Sequence, residues 1–173
     1  MSLIYITGVS GTGKSTVRKE LQNRGFEAHD TDDNGFRGWF NPETKQFIDS
    51  DIGYNEADRE WLDKYPLYIK RDMVEKIVPA DPSEKVFLCG SVPNANEVWD
   101  LFDEVIYLII SEDVLRERIA NRTNNRYGKD PAELEAVLGW RANSEQEAQR
   151  FGAKMVDATC KIDEVVNEII GEN

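Results

Sequence analysis

The sequence predicts an α/β fold in which helices cover both faces of a mostly parallel sheet. Two observations lead to this expectation. Short apolar runs that indicate buried strands alternate with segments of helical pattern, and the first strand leads through a glycine-rich turn directly into a helix. Such alternation is typical of parallel sheets, because each parallel connection has to cross over the sheet. With 173 residues, the chain has the length of one domain, and we expect a single domain over 1–173.

The predicted elements follow in order along the chain. Strands are predicted at 3–7, 26–30, 86–90, 104–110 and 154–159, and helices at 14–24, 95–102, 112–122, 131–150 and 163–170. Gly25 is expected to end the first helix. For the long helix, Asp130 can cap, Pro131 suits the first position and Glu133 completes a capping box. Residues 36–80 show no clean strand pattern, so we expect an inserted segment of helices and loops.

The charge and the cysteine content argue against several classes of protein. The chain has 33 acidic and 21 basic residues and a formal net charge of -12, and such a surface repels nucleic acids and anionic bilayers. Cys89 and Cys160 have neither disulfide-framework nor zinc-site spacing. The longest apolar run, 105–110, is too short to cross a membrane, and no export signal is visible. We expect a cytoplasmic protein that binds neither nucleic acid nor membranes.

The segment GVSGTGKST, residues 8–16, has the spacing of a phosphate-binding P-loop and sits between a strand and a helix. Its glycines let successive backbone amides point at an anion, and the helix adds the positive end of its dipole. Lys14 would hold the outer phosphates, Ser15 would ligate Mg2+ and Thr16 would lie near the inner phosphates. An ordinary glycine turn is the alternative, which the flanking strand and helix disfavour. The predicted cofactors are ATP and Mg2+, and the predicted nucleotide-binding residues of the loop are Gly8, Gly11, Thr12, Gly13, Lys14, Ser15 and Thr16.

Together with HDTDD at 29–33 and LRERIANR at 115–122, this motif resembles those of the small P-loop kinases, which include adenylate, shikimate and gluconate kinases. The resemblance covers the whole chain in element order, although only the first motif is strongly specific. It implies a P-loop three-layer sandwich with a five-stranded parallel sheet. It also implies a substrate-binding insertion at about 36–80 and a short lid at about 122–130.

Three aspartates, Asp30, Asp32 and Asp33, come where the second strand should end, and ligands of such sheets bind at the carboxyl ends of the strands. By the resemblance to shikimate and gluconate kinases, Asp30 would serve on the magnesium side or as a base, and Asp32 would bind the acceptor hydroxyl. The alternative is a turn in which the aspartates cap the next segment. His29 should point away from Asp30 along the strand, which favours a structural role.

The strand predicted at 86–90 lacks the aspartate that many P-loop ATPases use as a second magnesium residue, and its end carries Cys89, Gly90 and Ser91 instead. This fits the small kinases better than the motor or switch ATPases. We expect Cys89 in the core, and Gly90 and Ser91 in the substrate cleft.

Arg118, Arg122 and Arg126 recur every fourth residue, and the first two have no acidic partner at helical spacing. An incoming anion would supply that partner. By the resemblance to the lid entrance of adenylate kinase, Arg118 would stack on adenine and Arg122 would contact phosphate; distant salt bridges are the alternative. Arg126 departs from the family spacing, and its role stays open. Arg116 follows Glu112 by four residues, which predicts a surface pair.

Arg141 lies in the apolar stripe of the long helix, where a cation needs a partner. In the family this helix delivers an arginine to the transferring phosphoryl group, so the resemblance implies a catalytic role. A pair with Glu145, or a side chain that extends outward to water, fits the pattern equally well. The predicted catalytic residues are Lys14, Asp30, Arg122 and Arg141.

The sequence thus predicts an ATP-dependent phosphotransferase that acts on an alcohol group of a small metabolite, because Asp30 and Asp32 would repel an acceptor that is itself a phosphate. The insertion carries residues that could hold an acidic group or stack on a base, although packing suits the aromatic ones as well: Arg37, Arg59, Arg71, Trp39, Trp61 and Tyr68. The predicted substrate-binding residues are Asp32, Arg37, Arg71, Gly90 and Ser91.

Two other functions stay open on the sequence alone. One is a nucleoside monophosphate kinase that uses arginines of the insertion. The other is a nucleotide-binding regulatory protein that hydrolyses ATP slowly and has no acceptor. The sequence does not identify the acceptor, does not decide between ATP and GTP, and allows a monomer or a homodimer.

Overall fold

The computed structural model describes residues 2–33, 35–54, 56–81, 83–123 and 128–172. The strands are β1 (Ser2–Thr7), β2 (Glu27–Asp30), β3 (Arg37–Asn41), β4 (Gln46–Phe47), β5 (Leu67–Ile69), β6 (Lys85–Cys89), β7 (Glu104–Ile109) and β8 (Lys154–Asp157). The helices are α1 (Lys14–Asn23), α2 (Arg59–Lys64), α3 (Arg71–Glu75), α4 (Glu112–Asn121), α5 (Pro131–Arg150) and α6 (Ile162–Ile170). The single helix predicted at 95–102 is wrong, because two short 3-10 helices, Ala95–Glu97 and Trp99–Leu101, occupy that segment.

Five parallel strands form the central sheet in the order β2-β6-β1-β7-β8, so the five-stranded parallel sheet is confirmed. β1 lies at its centre between β6 and β7. A strand buried on both faces needs apolar side chains at every position, not only at alternate ones. The run from Leu3 to Ile6 meets this requirement, since all four of its residues are at most 2% exposed.

Alternate residues of β1 feed two apolar clusters on opposite faces of this sheet. Ile4 and Ile6 belong to a cluster that also contains buried residues of α1, α4, α5 and α6. Leu3 and Tyr5 belong to a second cluster with residues of α3, β5 and the 3-10 segment. The sheet is therefore covered on both faces, as the three-layer sandwich requires.

The insertion after β2 contains a second, antiparallel sheet in the order β4-β3-β5, so the expectation of a segment without strands is wrong. In β3, Phe40 pairs with Phe47 of β4, and Arg37 pairs with Ile69 of β5. These strands are two to five residues long, which is too short for a clear alternation of apolar and polar residues. β5 also pairs with β3 across a gap of about 25 residues.

Local sequence sets the helix ends largely as predicted. Gly25 has a positive φ of 87° after α1, and Asp130 accepts a hydrogen bond from the Ala132 N–H at the start of α5. The capping box is not formed in its usual way, because Glu133 accepts from the Gly128 N–H at 2.8 Å. In the described part of the chain, we find no helix that is long and apolar enough to cross a membrane.

Candidate active site

The carboxyl ends of β2 and β6 and the loop after β1 border a cavity of about 810 Å3, which is a volume typical of small-molecule sites. Most of the predicted site residues line this cavity. They are Gly11, Thr12, Gly13, Lys14, Ser15, Thr16, Asp30, Asp32, Arg37, Gly90, Ser91, Arg118 and Arg122. Gly8 lies beneath them, and its carbonyl accepts hydrogen bonds from Lys14 and Ser91.

The glycines of the P-loop are required by backbone conformation and by space. Gly8, Gly11 and Gly13 have φ of 146°, 100° and 105°, a region that side chains with a Cβ rarely adopt. A Cβ on Gly8 would lie 2.8 Å from the carbonyl oxygen of Leu108, and one on Gly11 would lie 2.7 Å from Cδ1 of Leu115. Gly13 also supplies no side-chain cap to α1, so the first N–H groups of this helix are left available to an anion.

Lys14 points back over the loop that precedes it. Its Nζ donates to the carbonyl oxygens of Gly8 at 2.7 Å and Val9 at 3.0 Å. Shielding of the ammonium from water lowers the pKa of Lys14 to about 8, a shift that the negative charge of Asp30 opposes. Backbone dipoles thus hold this cation, and a phosphate would give it the full counter-charge that it lacks.

Arg118 of α4 and Arg122, which directly follows this helix, face the P-loop across the cavity. Arg118 donates to the carbonyl oxygens of Thr12 at 3.2 Å and Ala158 at 2.8 Å, and so joins the loop to the segment after β8. Arg122 donates to the hydroxyl of Ser10 at 3.1 Å, and burial lowers its pKa. Both side chains therefore border the space above the loop, where the resemblance places nucleotide.

The aspartates after β2 pair with arginines. Asp32 Oδ1 lies 2.7 Å from Nη2 of Arg37, the first residue of β3. Arg18 of α1 lies between the other two, with Nη1 2.6 Å from Oδ2 of Asp33 and Nε 3.7 Å from Oδ2 of Asp30. The sequence analysis missed Arg18. Its position one helical turn after Lys14 was the available signal, since residues four apart share a helix face.

Asp30 is the most enclosed of the three carboxylates, with 17% of its side chain exposed. Burial raises its pKa, and the charges of Asp32 and Asp33 act in the same direction, whereas the Asp32 N–H and Arg18 lower it. A carboxylate whose pKa is raised is a stronger base. Asp30 is thus chemically suited to accept a proton from a hydroxyl.

The loop after β6 closes the floor of the cavity. Ser91 donates its hydroxyl to the Gly8 carbonyl at 2.6 Å, and the buried Tyr5 hydroxyl donates to the Gly90 carbonyl at 3.1 Å. A Cβ on Gly90 would lie 1.9 Å from Oγ1 of the fully buried Thr31. Only glycine at position 90 allows the ends of β2 and β6 to approach this closely.

Two of the predicted site residues lie away from this cavity. Arg71 pairs with Asp100 and with Glu75 at 3.1 Å, and Arg141 pairs with Glu145 at 2.9 Å. Each has found a carboxylate partner on the outside of the cleft, and for Arg141 this is the alternative that the pattern left open. Neither is among the residues that line the cavity, so their predicted roles in the site stay predictions without support from their positions.

Several other expectations concern residues around the site. Arg116 pairs with Glu112 at 2.8 Å as expected. Cys89 is fully buried, and burial raises the pKa of its thiol to about 12. His29 binds Glu27 at 2.7 Å and is not among the residues that line the cavity. Arg126 lies outside the described residues, as do positions 124, 125 and 127 of the predicted lid.

The cavity also has a wall that the sequence analysis did not identify. It is formed by residues of α4, the segment after β8 and α6: Val114, Glu117, Asn121, Ala158, Cys160, Ile162 and Val165. Glu117 and Asn121 lie in the LRERIANR segment, whose arginines alone drew attention in the sequence, and the other five belong to no motif. Their helices are brought together by the order of strands in the sheet, so single-sequence patterns carry little signal for them.

The oxygen donors of the cavity fit a magnesium ion that arrives with a nucleotide. The described residues contain no cluster of three or more His, Cys, Asp or Glu side chains suited to a metal ion. Ser15 and Asp30 both line the cavity, and Mg2+ is usually held by one or two protein oxygens together with phosphates and water. This set is therefore too small for a permanent metal site but sufficient for Mg2+ on a phosphate chain.

Comparisons with known proteins agree with this geometry. A family model described as an AAA domain matches residues 4–150. The YqaC protein of Bacillus subtilis (strain 168) is 30% identical over 132 residues, which cover 73% of this chain and 60% of that protein. The chain thus spans about 60% of the length of this relative.

Solved structures share the fold over nearly the whole chain. A gluconokinase from Sinorhizobium meliloti 1021 is 19% identical with a TM-score of 0.55, and the match covers 99% of this chain and 90% of that one. A shikimate kinase from Bacteroides thetaiotaomicron is 17% identical with a TM-score of 0.59, and the match covers 98% of both chains. The chain therefore belongs to the AAA-domain family and has the fold of the small P-loop kinases.

Proposed function

We propose that this protein is an ATP-dependent kinase that transfers the γ-phosphate of Mg-ATP to an alcohol group of a small metabolite. One observation carries the proposal: an anion cradle and a pair of carboxylates line the same cavity. The cradle consists of the P-loop with Lys14, and the carboxylates are Asp30 and Asp32. A phosphate donor and a hydroxyl acceptor need these two opposite environments next to each other.

On the donor side, the N–H groups at the start of α1 and the ammonium of Lys14 would bind the phosphate chain. Arg122 would approach the same phosphates, and Arg118 would lie against the base. Ser15 would ligate Mg2+ and Asp30 would bind a water of its coordination shell, and the ion would neutralise phosphate charge and orient the leaving group. These roles follow the contacts of the cavity together with the family resemblance.

On the acceptor side, Asp32 would accept a hydrogen bond from the hydroxyl that is phosphorylated, and Asp30 would take up its proton. The bond between this hydroxyl oxygen and the γ-phosphorus forms while the bond from phosphorus to the bridging oxygen of ADP breaks. Arg37 already neutralises Asp32 at 2.7 Å. An acceptor that carries its own phosphate would have to displace a carboxylate from an existing pair with arginine, so an alcohol suits the site better than a mononucleotide.

The test is transfer of label from γ-labelled ATP with Mg2+ to a panel of acceptors: sugar acids, cyclitols, nucleosides, mononucleotides and aminoalcohol antibiotics. The Lys14→Ala variant serves as the control. A labelled alcohol that is absent from the control supports the proposal and identifies the acceptor class. A labelled mononucleotide would instead establish a nucleoside monophosphate kinase. Binding with slow hydrolysis and no stimulation by any acceptor would favour a regulatory protein.

A further inference from the structure

Asn94 is a buried polar residue outside the site described above. It is 5% exposed and follows the cavity-lining residues Gly90 and Ser91 in the loop after β6. Its side-chain oxygen accepts from the N–H of Ile69 at 2.9 Å, and its side-chain nitrogen donates to the carbonyl of Ile69 at 3.3 Å. The same nitrogen also donates to Oε2 of Glu97 at 3.0 Å. Asn94 therefore pairs with Ile69 as a neighbouring strand would.

This contact satisfies the open edge of β5. Ile69 pairs with Arg37 across the antiparallel ladder, whereas the N–H of Lys70 donates to the Phe36 carbonyl in the next bonded position. The polar backbone groups of Ile69 therefore point away from β3, towards Asn94. Because Ile69 is 2% exposed, water could not readily replace the amide of Asn94.

Asparagine is the residue type that this position requires. The site needs one acceptor for the Ile69 N–H and two donors, one for the Ile69 carbonyl and one for Glu97. Aspartate has the same shape but no donor when ionised, and it would place a negative charge against a carbonyl oxygen and the Glu97 carboxylate. The pattern of contacts also fixes the orientation of the amide.

The loop that carries Asn94 is attached at its other end to the P-loop. Ser91 donates to the Gly8 carbonyl at 2.6 Å, and Asn94, three residues later, holds Ile69, whose ladder partner is Arg37. A short segment thus connects the phosphate-binding loop with the strand that presents Arg37 to the cavity.

We infer that Asn94 is a positioning residue that fixes the antiparallel sheet, and with it Arg37, relative to the P-loop. Asn94 does not line the cavity, so it acts through Ile69 and β3. The effect of Asn94 on an acceptor rests on the proposed function. Loss of the contact between Asn94 and Ile69 should raise the KM of the acceptor and leave nucleotide affinity unchanged.

The experiment compares Asn94→Asp with the wild type and with Asn143→Asp, which makes the same change at an exposed residue of α5. Three readouts need no acceptor. They are hydrogen exchange of peptides that contain Ile69, the rate at which phenylglyoxal modifies Arg37, and the affinity for the ATP analogue AMP-PNP with Mg2+. If Asn94→Asp does not fold, Asn94→Ser replaces it, since serine keeps only part of the hydrogen bonding.

We expect exchange at Ile69 and modification of Arg37 to be at least fivefold faster in the Asn94 variant, with AMP-PNP affinity within twofold of the wild type. The Asn143 control should match the wild type in all three. Unchanged exchange and modification would overturn the inference, and so would an equal loss of AMP-PNP affinity. With any acceptor that the panel identifies, a tenfold rise in its KM with a smaller change in kcat is expected. A protein with no acceptor would contradict the proposed function while the exchange and modification data still decide the role of Asn94.

Discussion

The two sides of the cavity hold their cations in different ways. On the donor side, Lys14 and Arg118 are bound by backbone carbonyl oxygens. Among the described residues, no carboxylate lies within salt-bridge distance of either. On the acceptor side, Arg37 is paired with Asp32, and Arg18 is paired with Asp33 and Asp30.

This difference shows which side can take a polyphosphate. Carbonyl dipoles stabilise a cation without cancelling its charge, so an anion that enters the donor side gains most of the attraction. On the acceptor side an anion would have to displace a carboxylate from an existing pair. In a chain with a net charge of -12, the cations held by carbonyls are the local exception that makes anion binding possible.

Among the variants that test this difference between the two sides, we expect the largest effect from removal of the Lys14 side chain. We expect Lys14→Ala to weaken Mg-AMP-PNP binding by about 100-fold or more, because a buried charge-assisted contact to phosphate is lost. The far-ultraviolet circular dichroism spectrum should not change. Isothermal titration calorimetry measures the affinity, and Lys19→Ala, on the exposed face of the same helix, is the matched control. Equal affinities of the two variants would refute the donor-side assignment.

The close packing between the ends of β2 and β6 can be tested with a larger side chain at position 90. Gly90→Ala places a Cβ against Thr31, and we expect a loss of about 1–3 kcal/mol in the free energy of unfolding from overpacking. Thr31→Ala removes the two nearest atoms, so the double variant should recover part of this loss. Urea unfolding of the four proteins gives the coupling energy. Additive effects would mean that the two residues do not contact each other.

Arg118 of α4 and Arg141 of α5 provide the next comparison, because only Arg118 lines the cavity. Arg118→Ala should lower nucleotide affinity about tenfold, through loss of its hydrogen bond to the P-loop and of its proposed contact with the base. Arg141→Ala should change affinity and kcat less than threefold, because Arg141 pairs with Glu145 outside the cavity. Steady-state kinetics of both variants measures the changes in kcat and in the KM for ATP. A large fall in kcat for Arg141→Ala would restore the catalytic role that the family resemblance implies.

The pH dependence of nucleotide binding tests the state of Lys14. The pKa of Lys14 is lowered to about 8 in the free protein. Its side chain is therefore positively charged below pH 8, and the charge is lost as pH rises through this value. A phosphate favours the charged form, so affinity should be constant below pH 8 and fall by up to tenfold per unit above it. Titrations of AMP-PNP between pH 6.5 and 9.5 measure this. Constant affinity over the whole range would exclude the lowered pKa.

The donor side could be predicted from the sequence because all of its main features are local. Gly8 to Thr16 form one continuous motif whose glycines are required by φ and by close packing, and the motif fixes both the strand before it and the helix after it. The acceptor side could not be predicted to the same extent. The pairs of Arg18 with Asp33 and of Arg37 with Asp32 join different elements, and β5 meets β3 only after about 25 intervening residues.

We expect the smallest effect, a change in thermal stability, from substitution of Asp30 or Asp33, the two aspartates that pair with Arg18. Because burial raises the pKa of Asp30, its charge destabilises the folded state above that raised pKa, and this penalty disappears as pH falls through it. Asp30→Asn should therefore raise the Tm slightly at pH 7, and the gain should shrink in acid. Asp33→Asn, whose carboxylate is 53% exposed and bonded to Arg18 at 2.6 Å, should instead lower the Tm slightly or leave it unchanged. Scanning calorimetry of both variants at pH 7 and pH 4.5 separates these effects. Equal Tm shifts would mean that the carboxylate proposed as the base is no more shielded from water than its exposed neighbour.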